Sequence, residues 1–195
     1  KVISDCIDTT QNAIGVSLTD DQKQGVLNAL HEPVSIITGL PGTGKSTSLN
    51  IAVKVLVDAG SNVLLVAPTG IAAKRMTSVT GNPAYTVHRA LGAKGWSQDS
   101  REQTYAGVVG SSSKKSFSSN TTWGCNEDNP HSADIIIIDE SSMLDQIILY
   151  RILKGIRESC RIVFVGDAAQ LPSVGPGNVL RDLVASGRFP TVQLT

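Results

Sequence analysis

Three groups of residues in this chain have types and spacing suited to chemistry on a phosphate. The first is Gly39-Leu40-Pro41-Gly42-Thr43-Gly44-Lys45-Ser46, which fits G-x-x-x-x-G-K-[ST] at every fixed position. Its glycines lack Cβ atoms, so the backbone can turn tightly and aim successive N–H groups at phosphate oxygens. Lys45 is a flexible point charge able to reach β- and γ-phosphates, and the Ser46 hydroxyl can sit on Mg²⁺. The second group is Asp139-Glu140, two carboxylates closing the run Asp134-Ile135-Ile136-Ile137-Ile138. Where such a strand accompanies a phosphate loop, the first acid holds Mg²⁺ and the next can orient or deprotonate the attacking water. The third is Gln170, whose amide can donate to a γ-phosphate while accepting from water.

These residues must be positioned by strands and helices. Val34-Ser35-Ile36-Ile37-Thr38 reads as a buried strand entering the loop. Leu49, Ala52, Val53, Leu56 and Ala59 then repeat at helical spacing, with Gly60 as the stop. Strand, loop and helix place a phosphate at a helix N-terminus, where the macrodipole favours anions. The four isoleucines before Asp139 predict a strand buried on both faces. Strand residues alternate in direction, so Asp139 and Glu140 should point different ways. Ser141 to Ile156 reads as a helix with Leu149, Ile152, Leu153 and Ile156 facing inward. Arg161 to Val165 is the next strand, and a turn rich in Gly and Pro carries Gln170. A helix from Asn178 to Ser186 and the start of a strand at Thr191 to Thr195 complete the series.

Other segments frame these. Val63 to Ala67 is a second buried strand, ending at Pro68-Thr69-Gly70 ahead of a helix over Ile71 to Val79. Ala72, Ala73 and Met76 read as core, and Lys74 and Arg75 as solvated. Those two cations nevertheless lie just past the C-terminal end of a parallel strand, where ligands of open α/β sheets bind. Thr86 to Leu91 predicts a short helical turn. Thr19-Asp20-Asp21-Gln22 is a capping-box pattern, and Val26, Leu27 and Leu30 line the helix behind it. The residues alone assign Gln22 to the cap; an amide beside adenine is the other possibility.

Residues 1–17 show no clear period and read as a linker or the tail of a preceding domain. Residues 92–131 break the rhythm, being rich in Ser, Gly and Asn. Gln103 to Val109 and Phe117 to Trp123 are candidates to pair as a small hairpin across a serine-rich turn. A loop this long inside a compact domain is usually functional or disordered.

The 195 residues carry 17 basic and 17 acidic side chains and a pI near 7, so any polyanion site must be a local patch. Cys6, Cys125 and Cys160 are far apart with no C-x-x-C pair, which suits a reducing compartment such as the cytoplasm and gives no zinc signal. No apolar run approaches membrane-spanning length, and the first residues lack a signal-peptide core. A start at Lys1 is what a fragment of a longer chain would show.

In this order, the segments from Leu18 to Thr195 resemble the first motor domain of a superfamily 1 DNA helicase of the RecD-like branch. Leu18 to Gln22 resembles the Q motif, Gly39 to Thr47 motif I, and Ala67 to Arg75 motif Ia. Thr86-Val87-His88-Arg89 resembles the motif with a Thr-x-His core. Asp139 to Met143 resembles motif II, and Gly166-Asp167 through Gln170 to Gly175 motif III.

The resemblance implies a RecA-like P-loop NTPase fold, a parallel sheet flanked by helices, with a small inserted β-hairpin or loop region at about 92–131. It implies ATP and Mg²⁺ as ligands and 5′-to-3′ movement on single-stranded DNA. Gln22 would hold adenine; Gly39, Pro41, Gly42, Thr43, Gly44, Lys45, Ser46 and Thr47 would cradle the nucleotide. Ser46 and Asp139 would hold the metal, and Lys45, Glu140 and Gln170 would act in catalysis. Pro68, Thr69, Lys74, Thr86, His88, Pro172, Ser173 and Val174 would line a DNA track that grips backbone and stacks bases without reading sequence.

The insertion falls where such helicases carry a pin that splits the duplex, and Trp96, Phe117 and Trp123 are candidates for the wedge. The family's second motor domain, with its arginine finger, is absent from these residues. The implied partners are therefore single-stranded DNA, that second domain of the full-length chain and subunits of a recombination or repair complex. A translocase subunit without unwinding of its own, a non-catalytic nucleotide- or DNA-binding module, and RNA as substrate stay open.

Overall fold

The computed structural model describes residues 2–94 and 122–195. Its centre is a parallel sheet of β1 (Val34–Gly39), β2 (Val63–Ala67), β3 (Ala84–Thr86), β4 (Ile135–Ile138), β5 (Arg161–Gly166) and β6 (Thr191–Leu194), in the spatial order β3-β2-β4-β5-β1-β6. Every pairing is parallel. The helices are α1 (Val2–Ile14), α2 (Asp20–His31), α3 (Lys45–Asp58), α4 (Gly70–Thr80), α5 (Val87–Ala90), α6 (Gln146–Gly155) and α7 (Val179–Ala185). This is the RecA-like α/β architecture that the family resemblance implied.

Alternation along each strand divides the core between the two faces of the sheet. Ile37, Leu65, Ile135, Ile137, Val163 and Val165 face a layer that includes Ile7, Val26, Ala29, Leu49, Val53 and Met76 from α1 to α4. Ile36, Leu64, Val66, Ile136, Ile138, Ile162 and Phe164 face Val87, Ile152, Val179 and Leu180 from α5 to α7. The isoleucine strand lies between β2 and β5, and all four of its side chains are fully buried. A strand covered on both sides has no polar face, so its sequence shows no alternation.

Several expectations need correction. The stretch read as an unpatterned linker contains α1, and Ile7 is only 2% exposed within the core beside α3. The Ser141 to Ile156 helix is interrupted. A short 3-10 turn, Ser141–Met143, is followed by Leu144 and Asp145, and α6 starts only at Gln146. Asp145 is the reason, because its carboxylate accepts from the Ile148 N–H at 2.8 Å and makes a fresh N-cap. The restart rotates the helix, so Leu153 faces solvent while Ile152 and Ile156 stay buried. Ala59 is exposed because α3 has ended and it serves as C-cap. β3 was not foreseen at all: three residues pair only with β2, at the sheet edge.

Lys94 and Thr122 exchange backbone hydrogen bonds of 2.8 and 3.2 Å as an antiparallel bridge. Residues 94 and 122 are thus neighbours in space. The hairpin expected across 103–123, with Trp96, Tyr105, Val108, Val109 and Phe117, lies outside the described residues except at its end. Trp123 is half-buried, packed against the core on the α6 side, with the His88 ring 5.4 Å from it.

If α1 belongs to the core, Ile7→Ala should lower stability by roughly 2–4 kcal/mol, the range for an emptied buried isoleucine. Urea unfolding of both proteins, followed by circular dichroism, checks it. A helix appended to the domain would leave the midpoint unchanged.

Candidate active site

Register sets the site. Thr38 of β1 lies level with Gly166 of β5, and Phe164 of β5 lies level with Ile138 of β4. Three neighbouring strands therefore release their chains at the same edge. The loop from Gly39 to Gly44 leaves β1, the acid pair leaves β4, and the turn carrying Gln170 leaves β5.

The glycine loop is built around its missing side chains. Gly44 has φ +88°, a left-handed conformation, and a Cβ there would collide with the Gln22 amide. At Gly39 a Cβ would lie 2.7 Å from both the Leu194 carbonyl and the Thr43 hydroxyl. α2, α4, α5 and α6 have their first N–H groups capped by Thr19, Thr69, Thr86 and Asp145. α3 has no such cap, because Gly44 brings no side chain. Its first turn has no side-chain acceptor, and the helix dipole favours an anion there. Lys45 donates to the Gly39 carbonyl at 2.6 Å and the Leu40 carbonyl at 2.8 Å, so its ammonium lies inside the loop. Ser46 and Thr47 occupy the first turn of α3, half-buried, while Pro41 and Gly42 are exposed at the loop tip.

Gln22 takes part in two contacts. Its Oε1 accepts from the Thr19 N–H at 3.0 Å, completing the capping box, and its Nε2 donates to the Thr43 carbonyl at 3.1 Å. The cap read from the residues is present, and the same amide touches the phosphate loop.

Asp139 is half-buried and continues the β4 ladder, its N–H donating to the Val66 carbonyl at 3.0 Å. Alternation past Ile138 turns its side chain toward the α3 face. Burial pushes its carboxyl above the usual carboxylate range; the Glu140 N–H bond and the charges of Arg75 and Lys45 act in the opposite direction. Glu140 has φ 52° and ψ 41°, the one left-handed residue other than glycine among the described residues. That turn breaks the strand alternation and sends its carboxylate toward α4, where Arg75 Nη1 lies 3.6 Å away. Gln170 is exposed, and its Oε1 accepts from the Ser142 hydroxyl at 3.2 Å. The Thr38 hydroxyl accepts from the Ala168 N–H at 3.1 Å, fastening the Gln170 turn to the strand that feeds the phosphate loop.

The donor set fits a magnesium-bound nucleotide: an uncapped helix start, a cradle that side chains would fill, one hydroxyl, and a desolvated carboxylate near the loop lysine. Ser142 and the Arg75–Glu140 pair were missed by sequence reasoning. Ser142 pairs across 28 residues and Arg75 across 65, so neither link has a local pattern.

The residues expected along a nucleic-acid track sit on the same edge of the sheet in two sets. Pro68 and Thr69 follow β2, Thr86 and His88 follow or close β3, and Lys74 is exposed on α4. Pro172, Ser173 and Val174 follow β5, on the other side of β4. Both threonine hydroxyls serve as helix N-caps, at 3.2 Å for Thr69 and 3.3 Å for Thr86. Ser173 donates to the Gly175 carbonyl at 3.1 Å. Val174 is 90% exposed, Leu171 87% and Ile71 84%, an apolar fringe beside the site.

Comparison with known proteins gives a consistent picture. A family model described as an AAA domain matches residues 17–195. The chain is 32% identical over 168 residues to RecBCD enzyme subunit RecD of Haemophilus influenzae, covering 85% of this chain and 26% of that protein. It is 33% identical over 162 residues to the ATP-dependent RecD2 DNA helicase of Deinococcus radiodurans, covering 82% of this chain and 19% of that protein. The chain thus spans about a quarter or less of the length of these relatives. The Pif1 helicase structure from Candida albicans shares the fold, with a TM-score of 0.58 at 22% identity, covering 92% of this chain and 39% of that one. Among the described residues no helix is long and apolar enough to cross a membrane.

The raised acid at Asp139 has a consequence for stability. A group whose pKa rises on folding adds stability below its unfolded pKa and loses it as pH climbs through the folded value. Asp139 therefore costs stability at neutral pH. Asp139→Asn should raise the urea midpoint at pH 7, with no gain near about pH 2, well below the unfolded pKa, where the carboxyl is protonated in both states. Equal effects at the two pH values would contradict a desolvated carboxylate.

Proposed function

The chain belongs to the AAA domain family, and on that premise we propose that it is the ATP-binding first motor domain of a RecD-like superfamily 1 helicase. In this reading the full-length protein uses Mg-ATP to move 5′-to-3′ along single-stranded DNA. The observation that carries it is the common edge shared by the phosphate loop, the acid pair and the Gln170 turn. The similarity to RecD and RecD2 proteins over most of the chain supports the same conclusion.

Each residue then has a task set by its surroundings. Backbone N–H groups of the loop and of the first turn of α3 hold the phosphate oxygens, and Lys45 turns from the Gly39 and Leu40 carbonyls to neutralise them. Ser46 and Asp139 would hold Mg²⁺, which would supply charge neutralisation to the bound phosphates. That role relieves the desolvation Asp139 suffers. Glu140 accepts the proton of the attacking water. Gln170, steadied by Ser142, reports whether a γ-phosphate is present and shifts the loop carrying Pro172, Ser173 and Val174. Gln22 sits between the α2 cap and Thr43, where an adenine can exchange for one of its contacts. The stretch 92–131 serves as the pin in this reading.

Nucleotide in such motors lies between two domains, and an arginine finger from the second is worth about a thousandfold or more in phosphoryl transfer. The isolated 195 residues are accordingly proposed to bind nucleotide, to turn it over very slowly and not to unwind DNA.

Two measurements test this. Titration calorimetry of this chain with a non-hydrolysable ATP analogue should show uptake that needs Mg²⁺. Lys45→Ala should weaken that uptake by roughly tenfold or more, the scale of a lost charged hydrogen bond, with an unchanged circular dichroism spectrum. The full-length protein should unwind forked DNA with a 5′ tail and leave the 3′-tailed fork intact. Hydrolysis without unwinding would point to a translocase subunit. A chain without magnesium-dependent uptake would be a non-catalytic module.

A further inference from the structure

Arg75 is the cation closest to the proposed water-activating acid, and nothing above gives it a task. Its Nη1 stands 3.6 Å from Glu140 Oε1, and its side chain is 64% exposed against 28% for Glu140. It makes no other ion pair among the described residues. Arg75 belongs to α4, the helix that follows Pro68 and Thr69, and its neighbour Lys74 is exposed on that helix. The guanidinium therefore lies between two surfaces: the acid that faces water on one side and the expected DNA backbone on the other.

The geometry of Glu140 makes that position consequential. Its left-handed backbone is one that glutamate adopts at a cost, and such strain persists only where the surroundings hold it. The turn is fixed by the Glu140 N–H to Asp139 Oδ1 at 2.9 Å and by the Glu140 carbonyl accepting from the Met143 N–H at 3.0 Å. With the backbone fixed, the carboxylate can change its direction only through its side-chain torsions. Arg75 is what it meets.

We propose that Arg75 is a positioning residue that holds the Glu140 carboxylate aside until a nucleic-acid phosphate draws the guanidinium away. This rests on the helicase reading above and adds its regulation. At 3.6 Å the pair is longer than a well-formed charged hydrogen bond, and pairs this exposed contribute little. A phosphate offers arginine two oxygens in fork geometry and outcompetes such a partner. Once Arg75 has turned to phosphate, Glu140 is free to face the attacking water. Occupancy of the track is then converted into hydrolysis through one side chain, without movement of the sheet.

The test compares wild type, Arg75→Gln and Arg75→Lys in the full-length protein. ATP turnover is read without DNA and across a titration with single-stranded oligonucleotide. Arg75→Gln should raise DNA-free turnover by up to about fivefold, the scale an exposed ion pair supplies, and should need more oligonucleotide for half-stimulation. Arg75→Lys keeps the charge and should stay near wild type without DNA. An Arg75 that merely held α4 in place would lower the melting temperature of Arg75→Gln and leave DNA-free turnover the same or lower, which overturns the proposal. Wild-type turnover indifferent to DNA would overturn the helicase reading together with it. Stimulated wild type with Arg75→Gln identical at every DNA concentration would overturn the coupling alone.

Discussion

Parallel pairing in register is the constraint on which this molecule depends. β1, β5 and β4 are adjacent, run the same way and end at the same edge of the sheet, β4 two residues before β5. A chain leaving three such strands has to leave on one side. Loops separated by about a hundred residues in sequence are thereby brought within reach of one ligand. Ile135 to Ile138 commit two isoleucines to each helical layer, and a shift by one residue would draw one of the flanking acids, Asp134 or Asp139, toward the core.

Around this rigid frame the functional edge is under tension. α3 starts without a side-chain cap, Asp139 carries a carboxylate into a dry environment, and Glu140 adopts a backbone shape unsuited to its type. Each feature costs stability in the free protein. Nearby capped helices show that the chain makes conventional termini readily: Thr19, Thr69, Thr86 and Asp145 all accept hydrogen bonds from their own first turns. α7 also starts without a side-chain cap at Asn178, but the carboxyl pushed up by burial and the left-handed glutamate occur only at this edge among the described residues.

Legibility followed the range of the interactions. The isoleucine strand, the glycine loop and the helix behind it could be read because their signals are local and repeat within a few residues. The α2 cap was legible for the same reason. α1 was not, since its apolar residues are sparse and Ile7 becomes core only by meeting α3. The three residues of β3 carry no alternation long enough to register, and their pairing depends on the edge of β2. The break before α6 was hidden because Asp145 resembles a tolerable helix residue until its carboxylate is seen on the Ile148 N–H. Within the site, the residue types announced phosphate and metal chemistry. The links Ser142 to Gln170, Gln22 to Thr43 and Arg75 to Glu140 join separate elements, and no spacing rule anticipates them.

The bridge between Lys94 and Thr122 carries an evolutionary implication. Two backbone hydrogen bonds tie residue 94 to residue 122, and Trp123 packs beside them against His88. Chain added or removed beyond such a clasp costs only a slowly growing closure entropy, so the sheet is insulated from it. Lineages could lengthen, trim or replace the sequence between these two residues while the sheet stayed the same, and the clasp is equally a natural port for grafting a foreign module.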